Sequence, residues 1–134
     1  MIDPITRKVF VRRMGGAAIA LLLAPRVLRG ASKPPAHPDP RPGITSADVL
    51  PDSKLPKQNV RQAYAAARAH PEIFDGLRCA CGCDSKHRSL LVCYETMQPT
   101  GCHGCVEQAE LVSKAIADNK NLAEIREMLD KKYG

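Results

Sequence analysis

The chain has no tryptophan, and its aromatic residues are confined to three Tyr and two Phe among 134 residues. A platform on which bases stack needs aromatic faces, so their scarcity argues against single-stranded nucleic-acid binding. Charge points the same way. The formal net charge is +6, but Arg7, Lys8, Arg12, Arg13, Arg26 and Arg29 stand against Asp3 alone within residues 1–31. Beyond residue 31, 14 basic residues face 13 acidic ones, which leaves no basic excess to follow a phosphate backbone. No nucleic-acid partner is expected. No alternating run of Val, Ile or Thr occurs, so no strand is predicted. Hydrophobic runs are short as well: "MGGAAIALLLAP" falls below the roughly 20 residues that span a bilayer. No cysteine precedes Cys79, so an acylated N-terminal cysteine is not expected.

What the sequence does contain is segregated along the chain. Basic "TRKVFVRR" followed by the short apolar run reads as an export signal over residues 1–31. "TRKVFV" is similar to a twin-arginine signal, with Lys8 where the second arginine normally stands. That route exports folded proteins, whose thiols can take up metal in a reducing cytoplasm first. The expected location is periplasmic or extracellular. No A-x-A site fits cleanly around "VLRGAS", and an uncleaved signal would hold the protein near the membrane. Residues 32–57 carry seven prolines in 26 positions, as in "KPPAHPDPRPG", and are expected to form a disordered, solvated tether.

Residues 58–134 carry helical patterns. In "QNVRQAYAAARAH", Val60, Tyr64 and Ala67 share one stripe, and Pro71 ends or kinks the helix. "PEIFDGL" supplies a further turn burying Ile73, Phe74 and Leu77. "SKHRSLLVCYETM" places Leu90, Cys93 and Met97 on one face, with His87, Leu91 and Tyr94 beside it. A seam of Cys102, Cys105, Ala109, Val112 and Ile116 follows. Asn121 and Glu124 then form a capping-box signal ahead of Leu122, Ile125 and Leu129. The expected fold class is all-α, a small bundle of three to four helices with a cysteine cluster at one end, preceded by the export signal and the tether.

The six cysteines all fall within this domain: Cys79, Cys81 and Cys83 in "RCACGC", then Cys93, Cys102 and Cys105, with Gly82 allowing a tight turn. A domain of this size has a small core and gains from a metal or from disulfides. Three readings follow. Thiolates suit Zn(II), Cu(I) or an iron-sulfur cluster, which makes Cys79, Cys81, Cys83, Cys93, Cys102 and Cys105, joined by His87, candidate metal ligands. C-x-C-x-C is not the paired C-x-x-C of a zinc finger, so the spacing does not select the ion. Alternatively, Cys102 and Cys105 form a dithiol couple in a thiol-disulfide oxidoreductase, although no β-α-β pattern surrounds them. Lastly, six cysteines pair as three disulfides in a stapled interaction module, with 15 possible pairings. Val106 after Cys105 excludes the C-x-x-C-H attachment of c-type haem. A Cys-His nucleophile through His87 or His103 has no identifiable orienting residue, so the leading expectation is a non-catalytic domain. His103 reads as a residue at a helix start, and His37 and His70 read as solvent-exposed.

"RCACGC", "KHRSLLVCY", "GCHGC" and the closing "EIREMLDKKYG" together resemble the PCYCGC-motif family of exported bacterial cysteine-rich proteins, over about residues 60 to 134. The resemblance implies a metal-binding or redox role. Arg78 and Ala80 stand where that family has proline and tyrosine, and the family's lipoprotein cysteine is missing. "LRCACGC" with the "YG" finish is also similar to the thiol proteins of cytochrome c maturation, small helical bundles that reduce apocytochrome thiols. Here C-x-C-x-C replaces their C-x-x-C, so that chemistry does not carry over to the first motif. The leading expectation is an exported protein binding Cu(I) or Zn(II) through its cysteines; no protein partner is specified.

Overall fold

Alanines and spaced apolar residues build the first described helix, α1 (Gln58–Ala69), whose Val60, Ala63, Tyr64 and Ala67 are buried on one face. His70 then leaves helical geometry, and Pro71 opens α2 (Pro71–Asp75) at a position where its missing N–H costs nothing. Helix α3 (Leu90–Tyr94) is short, whereas α4 (His103–Ala117) and α5 (Leu122–Tyr133) are long. The computed structural model describes residues 35–82 and 87–134, so the expected export signal and Cys83 lie outside the described residues. Among the described residues there is no strand, and the helical bundle predicted from the sequence is the architecture found. None of the described helices is long and apolar enough to cross a membrane.

The core is centred on Tyr94. Its ring meets Tyr64 edge-on at 4.9 Å and Phe74 at 5.6 Å, so most of the chain's few aromatics are gathered in one place. The Tyr94 hydroxyl donates to the Cys105 carbonyl at 2.6 Å, which ties α3 to the first turn of α4. Helices α1 and α4 pack against each other, and Ala109, Val112, Ile125 and Leu129 extend the core along α4 and α5. The capping box is present as expected: Asn121 accepts from the Glu124 amide, and the Glu124 carboxylate accepts from the Asn121 amide.

Three expectations need correction. The helix predicted to run on to Met97 stops at Tyr94, and Met97 is 43 % exposed, because Pro99 opens a separate 3-10 turn at Gln98–Thr100. The proline-rich stretch is not a solvated tether over its described part. Val49 and Leu55 enter the core, and 3-10 turns at Ser46–Asp48 and Asp52–Lys54 fold the chain back onto the helices. His37 is not solvent-exposed either, since its side chain is 7 % accessible. Its Nδ1 accepts from the Arg78 amide at 3.0 Å, and its Nε2 lies 3.1 Å from Asp130. Proline contributes to this behaviour: its fixed φ lowers the entropic cost of ordering the segment, so a few anchors suffice to fix it.

Candidate metal centre

Sequence order delivers the cysteines from three local structures. Cys79 and Cys81 lie on an irregular segment, Cys93 on the inner face of α3, and Cys102 and Cys105 at the N-cap and first turn of α4. The irregular segment is fixed by its backbone. Leu90 N–H donates to the Leu77 carbonyl at 2.7 Å, and the Arg78 amide donates to His37. Gln108, buried on α4, spans the segment with both ends of its amide: Nε2 donates to the Arg78 carbonyl at 2.9 Å, and Oε1 accepts from the Ala80 amide at 3.0 Å. Gly82 turns the chain with a φ of +70°, the left-handed conformation that its position in "CGC" suggests.

These supports bring four reduced thiols together. The sulfurs of Cys79 and Cys81 are 2.9 Å apart, Cys93 is 3.5 Å from Cys79, and Cys105 is 3.4 Å from Cys81. Cys79, Cys93 and Cys105 all lie within 4.8 Å of one another. His87 adds imidazole Nδ1 at 3.2 Å from the Cys93 sulfur. Zn–S bonds of about 2.3 Å place the sulfurs of a tetrahedral site about 3.8 Å apart, a spacing that the Cys79, Cys93 and Cys105 trio, within 4.8 Å of one another, approaches. The geometry is compatible with metal binding.

Proton sharing within the cluster is uneven. Hydrogen bonds from Cys105 and Cys93 lower the Cys79 thiol to about 2, against the opposing effect of burial. At Cys93 the Cys105 hydrogen bond pulls downward, but the bond to Cys79, burial and neighbouring thiolate charge together push it up to about 12. Cys105 is also raised, first by its hydrogen bond to Cys79, then by Cys93 and burial. One thiolate among proton-donating thiols is the outcome expected when like groups crowd together, since each further negative charge is repelled by the first.

Of the candidate ligands, Cys79, Cys81, Cys93, Cys105 and His87 are brought together, and Cys83 lies outside the described residues. Cys102 departs from the expected ligand set. It is disulfide-bonded, and a disulfide sulfur has no thiolate charge to give a metal. Its sulfur nevertheless lies within 4.8 Å of those of Cys81 and Cys105. Cys105 is a thiol, so the Cys102-x-x-Cys105 pair is not itself the bridge. His103 and His70 are exposed, as their positions predict. The sequence reading missed Gln108 and His37. A glutamine three residues after Cys105, within an otherwise apolar seam, was the available signal for Gln108; His37 carried none. Comparison of the chain with family models, with curated proteins and with solved structures gave no match.

Proposed function

We propose that this is an exported protein whose thiol cluster binds a soft metal ion, Cu(I) or Zn(II), without catalysing a reaction. The observation that carries this reading is the convergence of the Cys79, Cys81, Cys93 and Cys105 thiols, with the His87 imidazole beside Cys93. Sulfur and imidazole donors select soft and borderline ions over Mg(II) or Ca(II). Metal would displace the protons that the cluster now shares and neutralise the repulsion among its sulfurs, so binding and folding stability would rise together. Native mass spectrometry of the purified protein, before and after denaturation in a thiol-blocking reagent, tests this. A metal mass lost on denaturation supports the reading, and a protein that takes up neither Cu(I) nor Zn(II) overturns it.

The disulfide at Cys102 favours a second reading, thiol-disulfide exchange with Cys81 or Cys105 as the attacking thiol. Turnover of a small disulfide by the metal-free protein would support it. Stoichiometric metal binding without such turnover would set it aside.

A further inference from the structure

Gly104 has no space for a side chain. A Cβ there would stand 2.9 Å from the Cβ and 3.4 Å from the Cα of Cys81, and 3.9 Å from the Cys102 sulfur. The segment bearing Cys81 is therefore seated directly on the first turn of α4. Its sulfur lies within 4.8 Å of Cys105, which belongs to the centre described above, and within 4.8 Å of Cys102, which does not. Two sulfur trios, Cys79 with Cys93 and Cys105, and Cys81 with Cys102 and Cys105, thus meet at a single shared sulfur.

We infer that the Cys102 disulfide gates a second metal position: its reduction lets Cys81, Cys102 and Cys105 hold a second soft ion, with Cys105 bridging it to the first. This rests on the soft-metal reading and adds to it a redox-controlled stoichiometry. In the oxidised chain Cys102 is not a donor, and Cys79, Cys93 and Cys105 serve one ion. The gating step needs a two-electron reductant of the dithiol class. A thiolate of the dithiol attacks one sulfur of the bridge, its second thiol resolves the mixed disulfide, and the reductant departs as a disulfide. The two protons it gives up are taken by the two sulfurs released. Cys102 then carries a thiol at the N-cap of a 15-residue helix, where the helix dipole favours its ionised form. A thiolate has lone pairs enough to bridge two ions, and three sulfurs around each suit Cu(I).

Anaerobic Cu(I) titration followed by native mass spectrometry reads the stoichiometry directly, on the protein as purified and on protein reduced and then freed of reductant. The expected result is one Cu(I) per chain before reduction and two after. Cys102→Ser is expected to stay at one in both conditions. Gly104→Ala, which displaces Cys81, is expected to keep the first ion and lose the second, with helix content by circular dichroism showing that each variant folds. One ion in both states of the unaltered chain, or two before reduction, overturns the gating while leaving the proposed function intact. Two ions on reduced Cys102→Ser would remove Cys102 from the second position and overturn it equally. No ion in either state overturns the proposed function and the inference with it.

Discussion

The same two chain segments build two polar clusters of opposite character. From Asp75 to Cys81 and from His87 to Glu95, neighbouring residues divide between them: His87 reaches the Cys93 sulfur, whereas Arg88 and Ser89 reach the Asp75 carboxylate. Asp75 is fully buried yet completely answered. It accepts from the Arg41 backbone and guanidinium, from Arg88 at 2.9 Å and from Ser89 at 2.7 Å, and Arg41 continues to Glu95 at 2.5 Å. Burial alone would raise its pKa, but the Arg41 and Ser89 hydrogen bonds hold it down to about 2. In the thiol cluster the thiols compete with one another for protons, so Cys93 and Cys105 are pushed up while Cys79 falls. The contrast separates a structural polar centre from a binding one. The first carries its compensating charge within the fold, whereas the second gathers like thiols in an arrangement compatible with metal binding.

The largest expected effect breaks the compensated cluster. Asp75→Ala leaves the Arg41 and Arg88 guanidiniums without their buried partner and should cost about 3–5 kcal/mol in chemical denaturation. Its pH signature has a definite sign. Because the folded-state pKa lies below the usual 3.8, the contribution is complete above about 4 and is lost as pH falls towards about 2. Acid melts of the unaltered protein and of Asp75→Ala should therefore converge in that window. Next in size is the thiol cluster. Adding Cu(I) or Zn(II) at a hundred times its dissociation constant should stabilise the protein by about 2.7 kcal/mol, a rise in Tm of roughly 10–20 °C for a domain of this size. A chelator should reverse it. Cys93→Ser should abolish this response, whereas Asp75→Ala should lower the starting Tm and still respond to metal; a metal response retained in Cys93→Ser would dissolve the comparison.

A smaller effect is expected where the proline-rich segment is pinned. Burial, the leading cause, lowers the His37 pKa against the opposing pull of Asp130. The sign follows: neutral His37 supports the fold above the usual 6.5, and this support is lost as pH falls through its lower folded-state value. The charged groups around the ring are Asp130, Arg78 and Arg126. Replacing it as His37→Gln should cost about 1–2 kcal/mol at neutral pH and flatten the stability profile below pH 6.5. The smallest effect tests a purely local feature. Asn121→Ala removes the α5 cap and should cost about 1 kcal/mol, with metal binding unchanged.

The sequence by itself determined the helical class, because helices, caps and buried stripes depend on residues three and four positions apart. Val60 with Tyr64, Cys105 with Ala109 and Val112, and the Asn121–Glu124 box could all be read directly and are all found. That the cysteines gather into a cluster was equally legible, since the buried stripes turn Cys93 and Cys105 inward. Tertiary structure alone decided which of them meet and in what state. The 3.5 Å approach of Cys93 to Cys79 depends on how α3 packs, and the bridge at Cys102 takes that sulfur out of the thiol set. It also decided the role of residues 35–57. Composition predicted a solvated chain, but prolines restrict a segment without saying where it lies, and contacts across 34 residues from Arg41 to Asp75 and across 93 from His37 to Asp130 anchor it. Periodicity encodes which face of an element is buried, whereas long-range partnership arises only when the whole chain has packed.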